Sequence, residues 1–214
     1  MDYLEVNEVK SILNLIDREK PLGRRDYVLL NLLYNTGARV QEVCDLRVGD
    51  VQWDSPPLVT ITGKRRKTRR IPLWPETVAL LKAYMVERNI LHKPEEKMFL
   101  NARGEPLTRF GIYHMIKVRT HSAILHSPNL ARKKIGPHTF RHTTAMHMLQ
   151  AGVDLTVIKN WLGHVHLATT HAYVEIDLEM KRKALSATIP LADMKQLQSL
   201  INKNQDIISW LESL

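Results

Sequence analysis

Apolar residues recur at intervals of three and four along most of the chain, which is the pattern of helices that bury one face. Residues 6–18 carry such a stripe, with charged residues on the other faces. Residues 24–35 are apolar on most sides, which predicts a helix in the core. Further helices are predicted over residues 76–89 after Pro75, and after Thr108, which can cap a helix that carries Ile112 and Met115.

Strand-forming residues are confined to short segments. Residues 59–62 and 71–74 flank the loop GKRRKTRR, and this arrangement predicts a β-hairpin. Residues 97–106 suggest a minor β element or a loop, and residues 120–135 lack a clean period and suggest a basic loop. The fold class predicted from this pattern is mainly α with a small antiparallel β-sheet (α+β).

Residues 136–163 predict two consecutive helices. The first follows Pro137 and ends at Gly152, and the second is capped by Asp154 and stopped by Gly163. His138 and Arg141 lie three residues apart near the start of the first helix, where free N–H groups and the helix dipole favour an anion. We therefore interpret this helix start as a candidate phosphate site.

Composition narrows the class of partner. The 214 residues carry a formal net charge of +9, which makes nucleic acid the natural partner, although charge alone is weak evidence. The single cysteine excludes an internal disulfide framework and fits a reducing compartment. The sequence has no apolar run of membrane length and its N-terminus is too charged for a signal peptide, so we expect no membrane association and a cytoplasmic protein.

Three motifs occur together within residues 138–173: HTFRH, LGH and TTHAY. Their order and spacing resemble the second conserved box of the tyrosine recombinase (phage integrase) family. In that family the box supplies a histidine, an arginine three residues later, a second histidine after Leu-Gly, and a nucleophilic tyrosine nine residues further on. The resemblance assigns these roles to His138, Arg141, His164 and Tyr173, and it implies the fold of a tyrosine recombinase catalytic domain.

The segment TGARVQEV resembles the first box of the same family. There, the arginine is a catalytic ligand of the phosphate and the acid three residues later supports the site, which assigns Arg39 and Glu42. The family also places a catalytic lysine at the start of a hairpin. Lys64 matches that position, and because Arg65 replaces the usual glycine, Lys67 stays open as the alternative.

The resemblance implies breakage and rejoining of DNA strands through a 3′-phosphotyrosyl intermediate. Arg39 and Arg141 would stabilise the charge that develops on the phosphate, and His164 would donate a hydrogen bond to it. His138 would accept the proton of Tyr173, and Lys64 would protonate the departing 5′-oxygen. This chemistry needs no cofactor.

Basic residues outside the boxes are candidates for contacts with double-stranded DNA, although each can also be a solvated surface charge. They are Arg65, Arg66, Lys67, Arg69, Arg70, Lys117, Arg119, Arg132, Lys133 and Lys134. The histidine pairs His138/His142 and His164/His166 suggest a zinc site, but the spacing is loose and no cysteine pair completes it, so we expect no metal.

The predicted domain organisation is a catalytic domain over residues 1–185 and an amphipathic helical tail over residues 186–214. The tail can fold back on its own domain, or, as the resemblance implies, it is exchanged between protomers; the resemblance also implies a tetramer on DNA. Full recombinases carry an additional N-terminal helical domain, and we expect this chain to be a fragment without that core-binding domain. Two alternatives stay open: a DNA-relaxing enzyme of type IB topoisomerase character, and a non-catalytic DNA-binding accessory protein.

Overall fold

The structure is a computed structural model that describes residues 2–163, apart from the side chain of Arg65. It contains a mainly helical domain with one small sheet. The helices are α1 (Val6–Asn14), α2 (Pro21–Thr36), α3 (Val40–Asp45), α4 (Pro75–Glu87), α5 (Arg109–Ala123), α6 (Pro137–Gln150) and α7 (Leu155–Leu162). The strands are β1 (Val51–Gln52), β2 (Leu58–Thr62) and β3 (Thr68–Pro72). The predicted tail at residues 186–214 lies outside the described residues.

The sheet is antiparallel, with the strand order β1-β2-β3. The predicted hairpin is confirmed, but its second strand was placed wrongly: β3 begins opposite the end of β2, with Thr62 paired to Thr68. The chain turns within five residues because residues Lys64–Arg66 form a 3₁₀ turn, and the Gly63 N–H donates to the Lys67 carbonyl over 2.8 Å. Strand β1 was not predicted, since two residues are too few to show a period.

Two further boundaries differ from the sequence prediction. Helix α1 ends at Asn14 rather than near residue 18, although Ile16 beyond it is still buried. The tract at residues 120–135 is not wholly a loop, because α5 continues to Ala123 and a 3₁₀ helix spans Pro128–Arg132. The other helices predicted within the described residues are confirmed.

Helix α2 is the centre of the domain and packs against both α4 and α6. Its residues Leu29, Leu30 and Leu32 are fully buried, as its apolar sequence predicts. Phe140 and Leu149 of α6 are also fully buried. Burial of such side chains stabilises the fold by roughly 1.5–3 kcal/mol each, so this packing fixes where the ends of α2 and α6 lie.

Gly37 ends α2 in the left-handed conformation, with a φ of 57°, and its N–H donates to the Leu33 carbonyl. A Cβ atom added at Gly37 would lie 2.6 Å from Leu162 Cδ2 at the end of α7. Glycine is therefore needed both for the backbone conformation and for the close approach of these two helix ends. Within the described part of the chain, no helix combines the length and the apolarity needed to cross a bilayer.

Candidate active site

Arg39 occupies the N-cap of α3, two residues after Gly37, which ends α2. Its amide N–H donates to Glu42 Oε2 over 2.7 Å, and its guanidinium donates to Glu42 Oε1 over 3.0 Å. A second guanidinium nitrogen lies 3.3 Å from the Gly163 carbonyl oxygen. The side chain is 37% exposed, so part of the guanidinium stays accessible to an anion.

Arg141 lies on α6 and is buried, with 5% of its surface exposed. Its guanidinium donates to the Gly37 carbonyl over 2.7 Å and to the Leu162 carbonyl over 2.6 Å. Arg141 therefore joins the end of α2 to the end of α7. Arg39 and Arg141, which are 102 positions apart by their numbers, meet at neighbouring carbonyls of one helix end.

The C-terminal end of α7 is bound by three arginines, which we call the arginine clamp. Arg69 Nε donates to the Trp161 carbonyl over 2.8 Å, next to the Leu162 and Gly163 carbonyls that Arg141 and Arg39 bind. The last carbonyls of a helix have no partner within the helix and carry partial negative charge, so cations stabilise them. The clamp consists of Arg39, Arg69 and Arg141.

Glu42 links two members of the clamp. Its carboxylate is buried and also accepts from Arg69 NH1 over 3.0 Å and from Arg69 NH2 over 2.7 Å. Burial alone would raise the pKa of Glu42, but the hydrogen bonds and charge of Arg69, with smaller contributions from Arg39, outweigh it and lower the pKa. Glu42 is therefore held as a carboxylate, which suits the supporting role predicted for it.

The surroundings of Arg69 do not favour the DNA contact predicted from its place in the basic loop. Its side chain is only 12% exposed, and all three guanidinium nitrogens donate to protein acceptors. This pairing was hidden in the sequence, since the strand pattern of β3 does not reveal that Arg69 points toward Glu42.

A cavity of about 620 Å³ lies beside the clamp, between the hairpin turn and the end of α7. Five of the described residues that line it are cationic and none is acidic. Both lysine candidates, Lys64 and Lys67, line it, and so does Arg39. The complete lining among the described residues is Arg39, Gly63, Lys64, Lys67, Thr68, Arg69, Lys159, Asn160 and Gly163.

Sequence reasoning missed Lys159 and Asn160. Both lie in the last turn of α7, and Lys159 is four residues before Gly163, so the two share one face of the helix. That spacing was the available signal: a residue one turn before the glycine of the LGH motif faces the same cavity as that glycine. The excess of positive charge makes the cavity suitable for a polyanion.

His138 is exposed at the second position of α6, three residues before the buried Arg141. His142, one turn further on, is partly buried, and burial, followed by the charges of His138 and Arg141, lowers its pKa to about 4. His142 is therefore neutral near pH 7. Among the described residues, no group of three or more His, Cys, Asp or Glu side chains is arranged to hold a metal ion.

Two other predicted DNA contacts are also engaged in ion pairs within the protein. Arg119 donates to the buried Asp26 through Nε over 2.9 Å and through NH2 over 2.6 Å. Lys133 Nζ lies 2.5 Å from the Glu8 carboxylate and 2.9 Å from the Tyr3 carbonyl. The remaining candidates with described side chains are exposed: Arg66, Lys67, Arg70, Lys117, Arg132 and Lys134. His164, Tyr173 and the side chain of Arg65 lie outside the described residues.

Comparison with known proteins places this arrangement in a family. Residues 2–180 match the phage integrase family. The chain belongs to the phage integrase family. Tyrosine recombinase XerC of Bacillus subtilis is 36% identical over 200 residues, which cover 90% of this chain and 63% of that relative.

Two solved phage integrase relatives share the fold. The XerA recombinase superposes with a TM-score of 0.74 at 26% identity and covers 90% of this chain and 66% of its own. The XerH site-specific recombinase, in a post-cleavage complex with palindromic difH substrate, gives a TM-score of 0.72 at 27% identity and covers 86% of this chain and 52% of its own. The predicted fold class is thereby confirmed. The chain spans about 63% of the length of the curated relative from B. subtilis.

Proposed function

We propose that this chain is the catalytic part of a site-specific DNA recombinase. It would cleave and rejoin DNA strands through an intermediate in which Tyr173 is joined to a 3′-phosphate of the DNA. The observation that supports the proposal most strongly is the meeting of Arg39 and Arg141 on neighbouring carbonyls at the end of α7. That helix end lies one residue before His164 in the sequence. Two distant arginines, brought to the point where the LGH motif begins, are what the chemistry needs around one phosphate.

Charge stabilisation is the first requirement of the reaction. Attack at phosphorus increases the negative charge on the non-bridging oxygens, and fixed guanidinium groups lower the barrier because they need no reorganisation as the charge develops. Arg39 is partly exposed beside the cationic cavity and is suited to direct contact with the phosphate. Arg141 would supply a buried positive charge immediately behind it.

Proton transfer is the second requirement. A tyrosine hydroxyl with an ordinary pKa near 10 is a poor nucleophile until a base accepts its proton. In our proposal His138 takes the proton of Tyr173 as the new P–O bond forms, and Lys64 gives a proton to the 5′-oxygen as the old P–O bond breaks. His164 donates a hydrogen bond to the phosphate. Lys67 is the alternative acid, since it lines the same cavity as Lys64.

The proposed partner is double-stranded DNA at a specific site. The XerH relative was solved bound to its palindromic difH substrate, and the cationic cavity of this chain offers a matching charge.

We further propose that residues 1–185 form the catalytic domain, that residues 186–214 are exchanged between protomers of a tetramer on DNA, and that the protein acts in the cytoplasm. No cofactor takes part in the proposed reaction.

A trapping experiment tests the proposal. A library of nicked duplexes with randomised sequence upstream of the nick is incubated with the protein, and covalent adducts are isolated and sequenced. We expect adducts that share one sequence, and their complete loss in Tyr173→Phe. Tyr27→Phe is the control, since Tyr27 lies on α2 with Arg18 over its ring and has no place in the proposed site.

The outcomes separate the proposal from its alternatives. Adducts without a shared sequence, together with relaxation of supercoiled plasmid by a monomer, would indicate a topoisomerase-like enzyme. Binding without any adduct from either protein would indicate an accessory DNA-binding protein. Adducts that persist in Tyr173→Phe would contradict the assignment of the nucleophile.

A further inference from the structure

Arg69 has contacts that neither the proposed chemistry nor DNA binding explains. It belongs to the most basic stretch of the chain, yet its guanidinium is turned inward. Each of its three nitrogens donates to a protein acceptor: two oxygens of Glu42 and the Trp161 carbonyl. Removing a guanidinium from water costs desolvation free energy. Only well-aligned hydrogen bonds to several acceptors offset that cost.

The guanidinium fits a slot formed by two glycines. A Cβ atom added at Gly163 would lie 3.2 Å from Arg69 NH1 and 3.3 Å from Arg69 Cδ. A Cβ atom added at Gly63 would lie 3.1 Å from Glu42 Oε1, one of the acceptors of Arg69. Side chains at either position would crowd the pair, so the slot itself favours a planar group held in one orientation.

The same guanidinium connects three elements that carry candidate site residues. It belongs to β3 of the hairpin that bears Lys64, it binds Glu42 on α3 next to Arg39, and it binds the end of α7 just before His164. Glu42 in turn holds the amide and the guanidinium of Arg39. A displacement of Arg69 would therefore reach Arg39 through one carboxylate and the α7 end through one carbonyl.

We propose that Arg69 is a positioning residue of the strand-cleavage reaction and not a ligand of DNA. It fixes the orientation of Arg39 through Glu42, and it fixes the carbonyls at the end of α7 from which the chain continues to His164. The inference deepens the proposed recombinase function and rests on it for its catalytic consequence. Its structural consequence, a fixed end of α7, stands on the contacts of Arg69 alone.

Lysine at position 69 is the decisive substitution. It keeps the positive charge, but its single ammonium group lacks the planar fork of N–H donors of a guanidinium. It therefore cannot bind two carboxylate oxygens and a carbonyl in one plane. Misplacement of a catalytic group by about 1 Å can lower a rate by roughly 10²-fold. We expect Arg69→Lys to lower the single-turnover rate of adduct formation at saturating DNA by about that factor, with DNA affinity and its salt dependence unchanged.

Arg24→Lys is a matched control. Arg24 makes the same type of contact, with Nε and NH2 on both oxygens of Glu87 over 2.8 Å and 2.7 Å and further bonds to the carbonyls of Arg18 and Glu19. It joins α2 to α4, away from the clamp. The adduct rate of this variant should stay within about twofold of the unsubstituted protein. The Arg24–Glu87 pair is on the surface, where loss of a bidentate ion pair changes stability little and does not reach the site.

A second measurement does not depend on catalysis. Amide hydrogen exchange of the peptide that covers residues 155–163 reports opening of α7 in the free protein. We expect Arg69→Lys to accelerate exchange there by about tenfold or more, and Arg24→Lys to leave it unchanged. If the unsubstituted protein formed no adduct, the recombinase proposal would fail, while this exchange experiment would still decide whether Arg69 fixes the end of α7.

Two results would overturn the inference. One is unchanged exchange over α7 in Arg69→Lys. The other is a loss of about one unit from the slope of log affinity against log salt in Arg69→Gln, which removes the charge that Arg69→Lys retains; such a loss is the signature of a lost phosphate contact. If Arg69→Lys does not fold, Glu42→Gln, which keeps the side-chain volume, is measured in the same way, and normal exchange and a normal adduct rate in that variant would also overturn it.

Discussion

At the scale of single residues, the neighbours of a titratable side chain decide whether it is charged near pH 7. Glu42 and His142 illustrate opposite outcomes of partial or full burial. Two arginines keep the buried Glu42 ionised by lowering its pKa, whereas burial and the nearby charges of His138 and Arg141 lower the pKa of His142 and keep it neutral. A positive charge close to an acid stabilises its ionised form, and close to a base it stabilises the neutral form.

The low pKa of His142 predicts a pH dependence of stability. Between pH 6.5 and about 4 the unfolded chain binds a proton at His142 that the folded chain does not bind. The free energy of unfolding should therefore fall as the pH falls through this window, by on the order of 1 kcal/mol between pH 7 and pH 5 from this group. Urea unfolding at the two pH values measures the effect.

The control is His142→Gln, which cannot take up this proton. Its free energy of unfolding should fall less between pH 7 and pH 5 than that of the unsubstituted protein. Part of the dependence should remain, since burial also lowers the pKa of His147. An equal loss of stability in both proteins would contradict the prediction for His142.

At the scale of secondary-structure elements, the site is built from helix ends. The end of α2 at Gly37, the start of α3 at Arg39 and the end of α7 at Gly163 meet, because the unpaired carbonyls of the two helix ends accept hydrogen bonds from Arg141 of α6 and from Arg39. Helices that pack side by side leave their ends free to converge in this way. Such ends are rigid yet polar, which suits a site for a charged reaction.

Gly37→Ala tests this convergence. Alanine would adopt the left-handed conformation at a cost of roughly 1–2 kcal/mol, and its Cβ would also meet Leu162 Cδ2 at 2.6 Å. We expect a loss of about 2–4 kcal/mol in the free energy of unfolding and a lower rate of adduct formation, because Leu162 carries one of the carbonyls that Arg141 binds. Urea unfolding and the trapping assay measure the two effects.

Gly152→Ala is the matched control. Gly152 follows α6 with a φ of 81°, and a Cβ atom there would meet nothing within 4 Å. Only the backbone cost of about 1 kcal/mol should appear, with a normal adduct rate. If Gly37→Ala destabilised the protein no more than Gly152→Ala does, close approach of α2 and α7 would not be what requires glycine at position 37.

At the scale of the whole molecule, some basic side chains are paired with acids inside the protein, and others remain free to bind DNA. The chain carries a formal net charge of +9, but Arg69, Arg119 and Lys133 are neutralised by buried or partly buried acids. Among the cations that line the cavity beside the clamp, Arg39 and Arg69 share Glu42, whereas Lys64, Lys67 and Lys159 form no ion pair with an acid among the described residues. Three unpaired lysines therefore lie at the site where we propose that DNA binds.

This distribution predicts the salt dependence of DNA binding. Lys67→Gln removes an exposed cation of the cavity and should reduce the slope of log affinity against log salt by about 0.9 for a lost contact with one phosphate. Lys10→Gln, at an exposed position on α1, is the control and should leave the slope unchanged. Fluorescence anisotropy over a range of salt concentrations gives both slopes, and equal slopes for the two variants would exclude Lys67 from the DNA contact.

Much of the architecture followed from the sequence because local signals specify it. The period of apolar residues placed the helices, and Pro137, Gly152, Asp154 and Gly163 marked where α6 and α7 begin and end. The start of β3 was predicted wrongly, because the tight turn at Lys64–Arg66 leaves no periodic trace. The two boxes mark Arg39 and Arg141 in the sequence, and the structure shows that they meet at the end of α7.

The sequence by itself determined the elements, the family motifs and the total charge of this protein. The tertiary structure alone decided which charges remain available, since Arg119 finds its acid 93 residues away and Arg69 finds Glu42 27 residues away. Pairing between distant residues depends on how helices and strands pack, and no local pattern encodes it. For that reason a basic stretch that looks uniform in sequence separates into one arginine turned inward, Arg69, and exposed cations such as Arg66, Lys67 and Arg70.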